Sequence, residues 1–271
     1  LRGKTSILQE FGRIGHEAYL RRFTAQANAQ SLQDVYLALT SQSNVSIALQ
    51  SPNKQTTLIV IPAKDEAVTL PSVLADLKTH GWENVLVVDD LSSDGTGELA
   101  RQAGVLVFRP VLPLGAWGGM QLGIRWALQN GFVRVITMDA DGQHEVDELP
   151  ALLSAASGAD TVIGAFPQRA SFLRRIAWRW FQMLTGLKVS DLTSGFRCYN
   201  HKALTVLADR AATQLDYQDV GTLLLLRRSG LSVTEVPVSM NARSAGVSRI
   251  FRSWWQVARY MVVTTALCIM K

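Results

Sequence analysis

From Thr57 onward, short β-branched apolar runs alternate with longer stretches of helical periodicity. Leu58–Ile61, Val85–Val88, Val105–Phe108, Val133–Thr137 and Thr161–Ile163 each read as a buried strand. Between them, Val68–Lys78, Gly95–Ala103, Ala116–Asn130 and Leu149–Ala156 read as helices. Strands alternating with helices of about ten residues imply right-handed crossovers and a parallel sheet.

The second half is less regular. Ser171–Leu184 predicts a helix with an apolar line through Phe172, Ile176, Trp180 and Met183, continued by Leu187; Arg174, Arg175, Trp178 and Arg179 lie off that line. Leu192–Asn200 reads as a loop or short strand, Asp219–Arg228 as a helix, Ser232–Val238 as a strand, and Ile250–Met270 as one or two helices. Ahead of the sheet, Ile7, Phe11, Ile14, Ala18 and Phe23 mark one amphipathic helix, and Leu32, Val35, Tyr36 and Leu39 a second. The expected organisation is a helical arm and linker over 1–55, a catalytic domain over 56–248 and a C-terminal amphipathic helix over 249–271.

Composition narrows the picture. With 271 residues and 48% hydrophobic content, the chain can bury a full α/β core. Its net charge of +5 favours anionic partners. Cys198 and Cys268 form no Cys-x-x-Cys or Cys/His pattern, which argues against structural zinc and a disulfide framework and suits a reducing compartment. No signal-peptide pattern opens the chain; it begins at Leu1, and a natural start upstream stays open.

Candidate chemistry gathers at Asp139-Ala140-Asp141-Gly142-Gln143-His144, directly after a predicted strand. Ligands of open α/β sheets bind outside the carboxyl ends of the strands. Two carboxylates one residue apart on an extended chain face the same way and repel unless a cation lies between them. Hard oxygen ligands of this kind suit Mg²⁺ or Mn²⁺ shared with substrate phosphates. His144 reads as structural. A dehydrogenase would need Gly-x-Gly-x-x-Gly after the first strand, where Ile61-Pro62-Ala63-Lys64-Asp65-Glu66 stands; a Gly-x-x-x-x-Gly-Lys loop is missing too.

Seven stretches in order carry a resemblance: Ile61–Glu66, Val87–Thr96, Gly115–Gly119, Asp139–His144, Thr193–Arg197, Glu235–Val238 and Arg243–Arg249. Together they resemble the inverting GT-A glycosyltransferases of family 2, and within them the dolichyl- or polyprenyl-phosphate mannosyl- and glucosyltransferases. The resemblance covers roughly residues 57–250. It implies an α/β, Rossmann-like three-layer fold with a mostly parallel central sheet and helical appendages at both ends. It implies transfer of a hexose from a nucleotide-diphosphate sugar to a polyprenyl phosphate, with a sugar hydroxyl as the rival acceptor and a non-catalytic binding protein as the remote alternative.

The same resemblance assigns residues. Pro62, Ala63 and Glu66 match the nucleotide-entry motif, and Asp89 the carboxylate that reads the base. Gly115 and Gly118 would let backbone approach the diphosphate, although a helix start with packing glycines explains them nearly as well. Asp139 and Ala140 match donor-binding positions. Asp139, Asp141 and Gln143 match the ligands of Mg²⁺ or Mn²⁺, with Asp141 central to catalysis. Ser194 and Arg197 match the acceptor-side motif. Arg243, Ser248 and Arg249 match a loop that closes over phosphate groups, and Arg243 counts as catalytic. Asp219 lies near the helix start that carries the catalytic base in soluble relatives. Lys64, Asp65, Trp117, Gly221 and Arg249 depart from the usual pattern. The implied partners are a sugar nucleotide, a lipid phosphate and the cytoplasmic membrane surface, with no nucleic acid; homo-oligomerisation stays open.

The tail bears on the membrane. Tyr260–Met270, apolar apart from Thr264 and Thr265, reaches only about half of a ~30 Å hydrocarbon core at ~1.5 Å per residue. Arg252, Trp254, Trp255 and Arg259 flank it, as an interfacial helix requires. A helix docked on the core is the other reading.

Overall fold

A computed structural model describes residues 53–169, 172–213, 215 and 218–241, together with positions 261, 262, 264, 265 and 268. The two helices expected within 1–55, and Arg243, Ser248 and Arg249, lie outside the described residues. The five described positions of the expected C-terminal helix are helical.

Among the described residues, seven strands form one sheet: β1 (Thr57–Ala63), β2 (Val85–Asp89), β3 (Leu106–Phe108), β4 (Arg134–Thr137), β5 (Thr161–Ala165), β6 (Arg197–Asn200) and β7 (Val233–Pro237). The helices are α1 (Leu70–Thr79), α2 (Thr96–Gln102), α3 (Gly115–Gln129), α4 (Leu149–Ala155), α5 (Phe172–Thr185), α6 (His201–Ala208), α7 (Arg210–Thr213) and α8 (Val220–Arg228). The strand order is β3-β2-β1-β4-β6-β5-β7. β1, β2, β3 and β4 run parallel, as do β5 and β7.

One strand breaks the rule. β6 is antiparallel to both β4 and β5 and lies between them. Sequence periodicity left this stretch open between loop and strand, because Arg197 and Asn200 at its ends hide its buried character. α6 and α7 were not anticipated.

The sheet is sandwiched. Leu70, Val73, Leu74 and Leu77 of α1, Ala100 of α2 and Leu149 and Leu152 of α4 pack on one face. Trp117, Met120, Ile124 and Ala127 of α3 pack on the other with Ala203, Leu204 and Leu207 of α6. A third cluster joins Ile163 of β5 to Phe181 of α5 and Val220 and Leu223 of α8. α3 lies very close to β1: a Cβ at Gly123 would come 2.4 Å from Val60 Cγ1. That approach needs glycine.

Candidate active site

Because β1, β2 and β4 are parallel, the loops at 62–66, 89–96 and 139–144 emerge on one edge. β6 runs the other way, with Thr137 paired to Arg197, so the turn leading into it reaches that same edge. The antiparallel strand thus brings Thr193–Phe196 against the Asp139 turn. This is the crevice where open α/β sheets hold ligands.

The Asp139 turn is locked from below. The Asp139 amide donates to His144 Nδ1 at 3.0 Å, which places the proton of a neutral imidazole on Nε2. That nitrogen lies 3.8 Å from Asp139 Oδ2. The imidazole is buried and stacks on Phe196, centroids 4.7 Å apart and planes 13° from parallel. His144 is therefore structural, as anticipated, but its structure is that of the site. Gly142 turns the chain at φ 74°, and Asp141 Oδ1 accepts from the Gln143 amide at 3.1 Å. The Asp139 side chain is 40% exposed while Asp141 is buried.

One backbone bridge runs from this turn to the chain preceding Arg243. The Asn241 amide donates to the Gln143 carbonyl at 2.9 Å, and His144 bridges Met240 in antiparallel fashion.

The donor set suits a cation only with help. Among the described residues, no group of three or more His, Cys, Asp or Glu is placed to hold a metal ion. Two carboxylates at a strand end fit an ion that also takes ligands from a phosphorylated substrate and water. Space is tight beside them: a Cβ at Gly195 would stand 3.1 Å from both Asp139 oxygens.

Other expected site residues lie beneath the surface. Asp89 is fully buried. Its Oδ1 accepts from the Ser92 amide at 3.0 Å and its Oδ2 from Arg109 Nη1 at 2.7 Å. Its carboxylate holds Arg109, whose side chain stays 45% exposed where β3 ends. Arg109 belonged to no quoted motif; a lone arginine after a strand gives no sequence signal. Asp90 accepts from the amides of Leu114 and Gly115 and so caps the approach to α3.

Ser194 and Arg197 are enclosed in the same way. Both are fully buried. Ser194 Oγ donates to the Gly164 carbonyl at 2.7 Å. Arg197 donates to the carbonyls of Ser194 (2.8 Å) and Leu192 (2.9 Å) and to Thr222 Oγ1 (3.0 Å). With these bonds made inside the protein, they shape the Thr193–Phe196 turn from behind.

Asp219 caps α8, accepting from the Gly221 amide at 3.2 Å. Its neighbour Gln218 donates to Thr137 Oγ1 (2.9 Å) and Tyr199 Oη (2.6 Å), tying this cap to the end of β4 two residues before Asp139. Gly221 has a packing reason: a Cβ there would come 2.9 Å from Leu215 Cδ2.

The nucleotide-entry residues divide similarly. Ala63 is buried and its carbonyl accepts from the Asp90 amide at 2.8 Å; Pro62 is half-buried. Glu66 accepts from Thr69 Oγ1 at 2.9 Å and its amide donates to Thr96 Oγ1 at 2.8 Å. Ala140 is buried. Gly115 (φ 69°) has open space around it, whereas a Cβ on Gly118 would meet Leu114 at 2.9 Å. Trp117 turns inward, its indole donating to the Ala212 carbonyl at 2.8 Å. Behind the turn, on the α1 side, lies a cavity of about 510 Å³ bordered by Asp76, Glu145 and Asp147. Its acidic border is unsuited to phosphates. Burial pushes the Cys198 thiol up to about 12, so it offers no thiolate nucleophile.

Comparison with known proteins agrees with this geometry. The profile described as Glycosyl transferase family 2 matches residues 58–231. The chain is 31% identical over 210 residues to an undecaprenyl-phosphate mannosyltransferase of Micrococcus luteus, covering 71% of this chain and 86% of the relative. It is 32% identical over 228 residues to a polyprenol monophosphomannose synthase of Mycolicibacterium smegmatis, covering 77% and 86%. Among solved structures, glucosyl-3-phosphoglycerate synthase of Mycobacterium tuberculosis, in complex with Mn²⁺, uridine diphosphate and phosphoglyceric acid, superposes with a TM-score of 0.60 at 20% identity over 78% of each chain. That likeness shows the shared GT-A fold. On the family profile and these relatives, the chain belongs to glycosyl transferase family 2.

Proposed function

We propose that the protein moves a hexose from a nucleotide-diphosphate sugar to a polyprenyl phosphate, inverting the anomeric centre. The observation that carries this reading is the seating of the half-exposed Asp139 carboxylate against Gly195 of the acceptor-side turn. Donor diphosphate and acceptor would then meet at one carboxylate pair. The names of the relatives, a mannosyltransferase and a phosphomannose synthase acting on polyprenyl carriers, support the acceptor class.

In the proposed reaction an acceptor phosphate oxygen attacks C1 of the sugar. The bond from C1 to the diphosphate oxygen breaks, and the nucleotide diphosphate leaves with that electron pair. Asp139 and Asp141, with the Gln143 side chain, would hold Mg²⁺ or Mn²⁺, which supplies charge neutralisation at the leaving diphosphate. A lipid phosphate is already ionised near neutral pH, so no strong base is required. Asp219, engaged as a helix cap, fits a role in orienting the acceptor. Arg243, Ser248 and Arg249 would engage phosphate oxygens, for which the planar arginine fork is suited. Asn241, two residues before Arg243, is hydrogen-bonded to the Gln143 carbonyl, which supports this reading.

Ligand-dependent melting tests the donor half. At a hundredfold excess over Kd, a bound ligand stabilises by about 2.7 kcal/mol, a shift of roughly 5–10 °C for a domain of this size. A uridine- or guanosine-diphosphate sugar should produce it with Mn²⁺ or Mg²⁺ and lose most of it in chelator. A shift indifferent to chelator would remove the metal from the reading, and no shift with any sugar nucleotide would remove the donor. Radiolabelled sugar should partition into solvent-extracted lipid; label confined to water-soluble saccharide would point to a hydroxyl acceptor instead.

The tight seat at Gly195 gives a second expectation. Gly195→Ala should raise the metal concentration needed for half-maximal activity roughly tenfold, the scale seen when groups supporting metal ligands are disturbed. An unchanged metal titration would show that Asp139 is not a ligand.

A further inference from the structure

Gln218 is buried where the chain enters α8, yet its side chain serves the sheet rather than the helix. Its Nε2 donates to Thr137 Oγ1 at 2.9 Å and to Tyr199 Oη at 2.6 Å. Thr137 Oγ1 in turn donates to the Gly195 carbonyl at 2.7 Å. A hydroxyl carries a single proton. Thr137 gives it to Gly195, so toward Gln218 it offers a lone pair, and the nitrogen side of the amide must face it. The bonds therefore run in one direction, from Gln218 through Thr137 to Gly195.

This relay ends beside the Asp139 turn. A Cβ at Gly195 would stand 3.1 Å from both Asp139 oxygens, so the peptide that Thr137 anchors walls the Asp139 carboxylate. Ser194 is held through the Gly164 carbonyl and Leu192 through Arg197; Thr137 holds Gly195 next to them. The Thr137 hydroxyl has a second acceptor in reach, the Arg197 carbonyl at 3.5 Å. Donation from Gln218 keeps the proton on the shorter bond.

Stability does not account for a glutamine at this position. Among the described residues, Gln218 Oε1 meets no donor although it is buried. A buried acceptor left unmet is destabilising. Methionine would fill the same length without that defect, and only the two donated bonds distinguish the glutamine.

We propose that Gln218 is a positioning residue of the metal site: its amide orients the Thr137 hydroxyl and, through it, seats Gly195 so that the Asp139 carboxylate is held in place for a divalent cation. This rests on the reading that Asp139 and Asp141 bind that cation. It gives the entry to α8 a part in donor binding that is separate from the Asp219 cap.

Uptake of Mn²⁺ by the full chain in the presence of uridine or guanosine diphosphate, followed as loss of the paramagnetic resonance signal of free Mn²⁺, tests this apart from turnover. Gln218→Met and Thr137→Val should each raise the Mn²⁺ Kd roughly tenfold, the scale for groups that support metal ligands. Thr137→Ser keeps the hydroxyl and should bind Mn²⁺ as the wild type does. The double variant Gln218→Met/Thr137→Val should bind no worse than either single one, because both break the same relay. The melting temperature of Gln218→Met should move by less than about 4 °C, the scale of one net hydrogen bond in a domain of this size. Activity that this variant loses at low Mn²⁺ should return at saturating Mn²⁺. Wild-type Mn²⁺ affinity in Gln218→Met would overturn the proposal, and additive losses in the double variant would overturn the route through Thr137. Should Gln218→Met fail to fold, the Thr137 pair decides: equal Mn²⁺ affinity in the Val and Ser variants would overturn the proposal. No Mn²⁺ uptake by the wild type would overturn this inference together with the metal in the proposed reaction, whereas normal wild-type uptake with unaffected variants would overturn this inference alone.

Discussion

Asp141→Asn should abolish sugar transfer while leaving the fold intact. The amide oxygen of Asn can still accept from the Gln143 amide, the 3.1 Å bond that closes the turn, so the backbone keeps its course. What disappears is one of the two negative charges that, in the proposed reaction, would hold a divalent cation at the donor diphosphate. Charge stabilisation of a leaving phosphoryl oxygen is worth several kcal/mol, so the rate should fall roughly a thousandfold or more. Urea unfolding should change by no more than about 1 kcal/mol, since Asn keeps the acceptor that closes the turn. An Asn variant with appreciable turnover and unaltered metal dependence would strip Asp141 of its role.

Arg197→Met should act in the opposite way, on stability first. Methionine keeps the length of the side chain but leaves the carbonyls of Ser194 and Leu192 and the hydroxyl of Thr222 without their donor. Buried acceptors left unmet cost about 1–3 kcal/mol each, with partial relief by water or rearrangement. A loss of about 3–5 kcal/mol in denaturant unfolding is expected. If Arg197 instead gripped an acceptor phosphate, as its place in the motif first implied, KM would rise and stability would hold. A loss below about 1 kcal/mol would restore that earlier role.

These two residues show where sequence reading reached and where it stopped. The position of the Asp139–Asp141 pair just after a strand was legible because an apolar run followed by a polar turn is a local property. The parallel half of the sheet was legible for the same reason: β1, β2 and β4 are apolar runs separated by helical periodicity. Burial is not local. Arg197, Asp89 and Ser194 are residue types that usually face water, and only the fold shows each of them enclosed and bonded within the protein. Arg109 was invisible because its significance lies in its contact with Asp89, twenty positions away. The α5 stripe was seen correctly as a line, but periodicity cannot say whether such a line meets the core or the outside. Trp178, off the line, packs inward while Met183, on it, does not.

The late arrival of β6 has a bearing on how the chain is made. β4 and β5 both need it as a partner, yet it is completed only at Asn200, some sixty residues after β4 ends. Until then a nascent chain holds two naked, strongly apolar strand borders in its middle, the kind that recruits other molecules. A polypeptide cut between β5 and β6 should for that reason precipitate rather than yield a smaller folded unit. The long-range closure should also slow folding.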